Sequence, residues 1–446
     1  MKISIENFKS IRSLHNFQIK PLTVLSGTNS SGKSSFIQLL LLLKQTVEKS
    51  STDDVFTLDG SYYFVRNFID LINKKSKEKR ISVGFSFDEN VLNSENILLK
   101  LSKNADILID FIEKETKTIV SKFKIEIKSA PKNPYIKIEK NKEDDLFSLI
   151  TNDNSFGDNI WNQDIDNAIL DFEAFYPTAF QYNDNKNFFN INWSKDLINN
   201  YLKSIRYLGP DRESPKNEYM LSQKAINSVG IKGEFVAQIL QKKANEQIDY
   251  FEMEDKDNVN YNKKTDSLSE AVKYWMCEIF GVAENLYAKK RGDVYQIFLK
   301  MQNGIEVNIK HVGYGISQLL PIVVEGLLME KGTLIVEQPE IHLHPKIQSQ
   351  LFDFLYSLTL QGKNVIVETH SSHFITRMRR RIAESEDKIF ENINLTFIED
   401  DIFRTIKLDD FGTMDYFPKD FIEKDAEELK AIVEAQMKKR MKNKEK

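Results

Sequence analysis

The residues Gly27-Thr28-Asn29-Ser30-Ser31-Gly32-Lys33-Ser34 satisfy every fixed position of the pattern G-x-x-x-x-G-K-[ST]. The chemistry such a loop performs is phosphate binding. Backbone N–H groups and a helix N-terminus converge on one point, where an anion is stabilised. Lys33 is placed to reach β- and γ-phosphates, the Ser34 hydroxyl to hold Mg²⁺, and Ser35 to continue the cradle. A chance match in a Ser/Gly-rich turn would lack the right flanks. Here Pro21-Leu22-Thr23-Val24-Leu25 reads as a buried strand before the loop. Ser35 to Lys44, apolar and free of Gly and Pro, reads as a helix after it.

A second set of reactive residues lies some 300 positions later. The run Gly332-Thr333-Leu334-Ile335-Val336 reads as a buried strand and ends in Glu337-Gln338-Pro339-Glu340. A strand ending in acid suits Mg²⁺, which prefers hard oxygen ligands. Asn364-Val365-Ile366-Val367-Glu368-Thr369-His370 is another such strand. Open α/β sheets collect ligands at the carboxyl ends of their strands, so three strand ends are expected to meet: Gly27, Glu337 and His370. Five of the six histidines (His311, His342, His344, His370, His373) fall in this half. A zinc site built on them is the competing reading, but no H-E-x-x-H spacing or cysteine partner supports it. Between the halves, Gly313-Tyr314-Gly315-Ile316-Ser317-Gln318 precedes an apolar run and reads as a second anion-binding helix start. Pro321 is expected early in that helix, where it is tolerated. One nucleotide does not need two such helix starts from one subunit, so the second suggests a phosphate contacted across a dimer.

The elements that must position these residues follow from the patterning. Residues 1–26 read as short strands leading to the loop. The stretch 55–145 is strand-rich and alternating, as in Ile81-Ser82-Val83-Gly84-Phe85, which predicts an antiparallel sheet with one wet face. Residues 146–200 are dense in Asn and Asp with aromatics between them and read as an irregular, partly helical insertion. Tyr207-Leu208-Gly209-Pro210-Asp211-Arg212 is an ordered segment ending in a turn, and Glu254 to Asp266 reads as a polar loop. No internal repeat and no long heptad segment is present.

The chain has 446 residues, 41% hydrophobic and 29% charged, with 62 Lys and Arg against 66 Asp and Glu, for a net charge of −4. No global basic field advertises nucleic acid. Cys277 is the only cysteine, which excludes an internal disulfide framework and fits a reducing, cytoplasmic setting. The N-terminus carries charge early, unlike a signal peptide, and the apolar run Leu39–Leu43 is too short to span a bilayer, so no membrane partner is expected. Arg377, Arg379, Arg380 and Arg381, together with the basic end of the tail (Lys438-Lys439-Arg440), make DNA or other nucleic acid a candidate partner; charge runs are more often solvated faces.

This constellation resembles the ABC-type ATPase heads of the group that holds the structural-maintenance-of-chromosomes proteins, the double-strand-break-repair ATPases and RecF. Within it the chain looks most similar to compact bacterial AAA ATPases related to the ATPase half of the overcoming-lysogenization-defect nucleases, the Septu-like ATPase subunits. The motifs that carry the resemblance are the Walker A loop Gly27–Ser34, a degenerate signature at Gly313–Gln318, the Walker B run Glu337–Pro345, the switch histidine His370, the Tyr207–Arg212 segment and a C-terminal box at Gly412–Phe421.

The resemblance implies an α/β P-loop NTPase of ABC-ATPase type with an antiparallel β-subdomain and a helical signature subdomain. The expected divisions are 1–145 for the N-terminal lobe, 146–200 for the insertion, 201–330 for the signature subdomain, 331–411 for the C-terminal lobe and 412–446 for the box and a basic-ended helix. It implies ATP and Mg²⁺, the metal held by Ser34 and Glu337. It also implies a homodimer or higher homo-oligomer in which Gly313, Gly315, Ser317 and Gln318 of one subunit close on the phosphates held by the other, and a separate nuclease or toxin effector in anti-phage defence. Glu337, Gln338, Glu340 and His370 are the expected catalytic group. The usual Asp-Glu pair is Glu337-Gln338 here, and Gln338 can orient a water but cannot take its proton. Slow hydrolysis follows, unless Glu340 or Glu368 takes over. No long coiled coil and no Toprim-type nuclease segment is present, so a nuclease would act in trans. A RecF-like DNA-repair ATPase and a non-hydrolysing ATP-bound scaffold are the alternatives.

Overall fold

The computed structural model describes residues 1–416, except 29–30, 50–54, 89–101, 130–132, 143, 153–163, 184, 190, 223–225 and 255–259. The C-terminal box beyond Tyr416 and the basic-ended helix expected over 425–446 therefore lie outside the described residues, as do Asn29 and Ser30 of the phosphate loop.

In chain order the first elements are β1 (Lys2–Phe8), β2 (Ile11–Gln18), β3 (Leu22–Gly27) and helix α1 (Lys33–Lys49). Strands β4 (Arg80–Asp88), β5 (Ser102–Lys114), β6 (Lys117–Ser129), β7 (Tyr135–Lys140), β8 (Phe147–Thr151), β9 (Ile165–Glu173), β10 (Tyr176–Tyr182) and β11 (Asn185–Phe188) follow, then α2 (Asn192–Ser204). The middle of the chain holds β12 (Ile205–Leu208), β13 (Tyr219–Met220), α3 (Val236–Lys242), β14 (Gln247–Met253), β15 (Tyr261–Ser267), α4 (Leu268–Lys273), β16 (Asn285–Arg291), β17 (Val294–Lys300) and β18 (Glu306–Asn308). The last part holds α5 (Tyr314–Leu328), β19 (Thr333–Glu337), α6 (Pro345–Leu360), β20 (Asn364–Glu368), α7 (Ser372–Glu384), β21 (Ile393–Glu399) and β22 (Ile402–Ile406).

Two sheets organise the molecule. The central one has the order β12-β19-β20-β3-β21-β22, parallel from β12 to β21. Its middle strands are apolar and buried on both faces, as parallel sheets covered on two sides must be. Alternation sorts their side chains. Leu25, Ile335, Ile366 and Ile398 pack into one core with α1 and the second sheet. Val24, Leu334, Val336, Val365 and Val367 pack into another core with α5, α6 and α7. The second sheet is a ten-stranded antiparallel one, β11-β10-β9-β8-β7-β6-β5-β4-β1-β2. Phe36 of α1 packs against Phe17 of β2 at 4.9 Å between ring centroids, tying the phosphate-loop helix to that sheet.

The structure corrects three sequence expectations. The described residues of 146–200 are not irregular: β8 to β11 continue the antiparallel sheet, and α2 follows. Phe147, Leu149, Phe175, Tyr176 and Phe180 feed the core, and among the described Asn residues Asn167 and Asn183 stand at positive φ, which Asn tolerates. Tyr261–Ser267 is a strand paired with β14 rather than a loop; its charged residues face water in a two-stranded ribbon. Pro321 lies in the middle of α5, not at its start, because the helix begins at Tyr314. The proline costs the Ser317 carbonyl its usual helical partner. The stretch 201–330, expected as the signature subdomain, carries α3, α4 and α5 and the small sheets built from β13 to β18. No helix among the described residues is long and apolar enough to cross a membrane.

One buried cation in this framework yields a stability prediction. Lys363 is 2% exposed, and its Nζ donates to the Gly326 carbonyl at 2.8 Å, near the end of α5. Burial pushes its pKa down to about 7. In the unfolded chain a lysine titrates near ~10.4. Between these values the unfolded state binds more protons, so stability rises with pH. Lys363→Met is expected to be the more stable protein at pH 7, by on the order of a few kcal/mol, with the difference shrinking toward pH 10. Denaturant titrations across that range check it; a pH-independent difference contradicts it.

Candidate functional site

The phosphate loop follows from β3 ending against β21. Gly27 is at φ +146°, and a Cβ there would lie 2.0 Å from the Ile398 carbonyl oxygen. Only glycine lets the chain leave the strand so close to its neighbour. α1 then begins at Lys33. Lys33 is 4% exposed, and its Nζ donates to the carbonyls of Gly27 at 3.2 Å and Thr28 at 2.5 Å. Burial lowers its pKa, and the Glu368 and Glu340 carboxylates oppose that shift. Ser31 Oγ is buried without a hydrogen-bond partner among the described residues. A cleft of about 240 Å³ opens at this point, lined by the loop, Ser10, Gln38, Gln338, Glu368 and His370.

The register of the central sheet sets the next shell. Tyr207 pairs with Ile335, and Glu337 pairs with Glu368. Two-residue periodicity puts Tyr207, Glu337 and Glu368 on the face that α1 covers. A row of polar groups results. Tyr207 Oη donates to Glu337 Oε1 at 2.8 Å, and Ser34 Oγ donates to both carboxylate oxygens of Glu368 at 3.1 Å. Burial pushes the Glu368 pKa up to about 7, assisted by the Glu337 carboxylate and opposed by Lys33. Burial also raises Glu337 and Glu340.

Glu340 faces the end of β20, where it accepts from Thr369 Oγ1 at 2.8 Å and from the His370 amide at 2.6 Å. Burial and the Lys33 cation shift the His370 pKa down, which favours the neutral imidazole. Gln338 adopts φ +43° in the turn after β19, and its amide donates to the Glu368 carbonyl at 2.7 Å.

Most expected site residues therefore meet at one cleft: the described loop residues, Gln338, Glu368 and His370, with Glu337 and Glu340 in contact behind them. The expected metal pair is Ser34 and Glu337; the hydrogen-bond partner that the structure gives Ser34 is Glu368. Ser34 meets Glu368 rather than Glu337, because β20 lies between β3 and β19. Ser34 and Glu368 supply hard oxygens at one point, and among the described residues no group of three or more His, Cys, Asp and Glu is arranged to hold a metal unaided. Mg²⁺ fits such a site, since it keeps several waters and takes one or two protein oxygens beside substrate phosphates. The zinc reading has no support: His342 packs on Tyr314 at 4.7 Å, and His344 caps α6 through Nδ1.

The signature residues divide. Gly313 and Tyr314 are exposed at the start of α5. A Cβ on Gly315 would lie 2.5 Å from the His342 carbonyl oxygen, so this glycine serves a close approach inside the subunit. Ser317 is buried and donates to the Tyr314 carbonyl, and Gln318 is buried and donates to the Glu213 carbonyl at 3.2 Å. The arginine cluster of α7 is also engaged internally. Arg377 and Arg381 bind the buried Asp353, Arg380 binds Glu384, and Arg379 donates to the Gly412 carbonyl. Tyr207 and Arg212 are contacts that the motif reading left without a role. The signal for Tyr207 was parity: 207, 337 and 368 share a face once their strands are aligned.

A model of the AAA ATPase domain family matches residues 1–375. Nod factor export ATP-binding protein I of Burkholderia thailandensis is 25% identical over 107 residues, 24% of this chain and 35% of that protein. The chain thus spans about a third of that relative's length. The SMC head domain from Thermotoga maritima aligns over 92% of this chain and 98% of its own, with 10% identity and a TM-score of 0.41. The Smc head domain bound to the C-terminal domain of ScpA, from Pyrococcus furiosus, aligns over 97% of this chain and 98% of its own, with 11% identity and a TM-score of 0.43.

Proposed function

The chain belongs to the AAA ATPase domain family, and from that membership and the geometry of the cleft we propose that it binds Mg-ATP at Lys33, hydrolyses it slowly and uses the bound nucleotide to hold two copies together. The observation that carries this reading is the row Tyr207–Glu337, Glu368–Ser34 beside Lys33 at the mouth of the phosphate loop. The loop amides and Lys33 bind and orient the phosphates. Ser34 and Glu368 would hold Mg²⁺, which when bound would neutralise charge on the phosphate oxygens. Gln338 aims the attacking water, and His370 shares the cleft with Lys33, where the terminal phosphate would lie. Phosphoryl transfer depends mostly on positioning and electrostatics, so the missing Gln338 carboxylate slows the reaction without abolishing the site.

In the pair, the exposed Gly313–Tyr314 end of α5 faces the other copy's nucleotide. The motif resemblance supports a role as the ATP-gated regulator of a separate nuclease or toxin in anti-phage defence. The internal ion pairs of the α7 arginines favour this reading over a RecF-like one, since they leave that cluster less suited to a DNA backbone.

Isothermal titration with ATP, with and without Mg²⁺, tests the site. Wild type is expected to bind ATP more tightly with Mg²⁺. In Glu368→Gln most of that Mg²⁺ dependence, about tenfold in Kd, is expected to vanish, while metal-free binding persists, because one charge-assisted contact is worth about 1.5–3 kcal/mol. Equal Mg²⁺ dependence in both proteins contradicts the assignment of Glu368.

A further inference from the structure

We propose that Arg212 is a positioning residue that fixes the Glu337–Gln338 turn and, through Gln318, ties that turn to the helix start exposed at Gly313. The inference concerns regulation of the proposed ATPase site and rests on that reading.

Arg212 is 2% exposed. Its guanidinium spans the turn after β19: one nitrogen donates to the carbonyls of Gly209 at 2.9 Å and Glu337 at 3.0 Å, the other to the Gln338 carbonyl at 2.9 Å. The Glu337 and Gln338 carbonyls lie where the ladder between β19 and β20 ends. Gln338 stands at φ +43°, a conformation that a side chain adopts only when its surroundings enforce it. A planar fork can hold two successive carbonyls at fixed spacing, whereas a lysine ammonium is a point donor. Burial lowers the Arg212 pKa to about 10, against the pull of Glu340, so the group stays a cation at neutral pH.

The other end of the connection is α5. Gln318, 2% exposed, donates to the carbonyls of Arg212 at 3.5 Å and Glu213 at 3.2 Å. The same helix touches the far side of the turn, where Gly315 meets His342 and the Tyr314 ring lies against the His342 ring. The α5 start, the 209–213 segment and the 337–342 turn thus form a closed triangle, with Gln338 on the cleft side and Gly313 on the outer side. A ligand or second copy that engages Gly313 and Tyr314 moves a body hydrogen-bonded to the residue that aims the water. Occupancy at the outer helix start is thereby read out at Gln338.

The test uses Arg212→Lys and Gln318→Ala in the full chain, with hydrogen exchange of the 338–343 amides and steady-state phosphate release. Exchange of that segment is expected to rise about tenfold or more in both variants, while α6 beyond its first turn is unchanged. The kcat is expected to fall about tenfold at nearly constant KM. The rate gain from Gln338→Glu is expected to disappear in the Arg212→Lys background, which a merely structural arginine would not cause. Wild-type exchange over 338–343 in both variants, or an undiminished Gln338→Glu gain, overturns the proposal. Exchange is read whether or not ATP turns over. Absence of ATP binding in wild type would sink the ATPase reading separately.

Discussion

Lys33→Ala is expected to lower ATP affinity by about 100-fold or more and to leave the fold intact. The magnitude follows from charge-assisted hydrogen bonds to phosphate, worth about 1.5–3 kcal/mol each, from a group able to make more than one. The side chain is nearly fully buried, and its Nζ is satisfied by the carbonyls of Gly27 and Thr28. Those partners lie in the loop itself, so truncation removes a desolvated charge without opening a core. Unfolding midpoints should match wild type closely. The check is a fluorescent ATP analogue titrated against both proteins beside thermal melts. Retained affinity would show that Lys33 is not a phosphate ligand, and collapse of the melt would show that it is structural.

Gln338→Glu is expected to speed phosphate release by about 100-fold, the lower end of what a positioned general base contributes. The lower end applies because the new carboxylate would enter a cleft already edged by Glu368, with Glu337 and Glu340 close behind. Like charges and burial raise a carboxylate pKa. A base must be deprotonated to act, so the gain over wild type should grow as pH rises through neutrality. Burst-free steady-state rates between pH 6 and 8 would read this. A rate equal to wild type at every pH would mean that another group, Glu368 foremost, already takes the proton.

Much of the site was legible because its parts are local. The phosphate loop, the acidic strand end and the strand ending at His370 each announce themselves in under ten residues. What the sequence left open was lateral order. Nothing local says that β20 separates β3 from β19, yet that order puts Glu368 against Ser34. The helix start at Gly313 was visible, but not the burial of Ser317 and Gln318, because a small polar residue after two glycines fits a phosphate contact and an internal cap equally well. The strands from β8 to β11 were missed because turn-forming Asn and Asp dominate the composition there, while the aromatics that commit those strands to the core are spaced irregularly. The four arginines clustered on α7 read from sequence as a candidate surface patch, but Asp353, two dozen residues earlier, is the buried partner of Arg377 and Arg381.

The central claim is that nucleotide bound at Lys33 draws two copies of the chain together. Mass photometry of wild type and Lys33→Ala, each with and without Mg-ATP, tests it most directly. The account predicts that Mg-ATP shifts wild type from the 51.9 kDa monomer toward twice that mass or a multiple of it, and leaves Lys33→Ala unmoved. A wild-type mass distribution that is the same with and without Mg-ATP would contradict it.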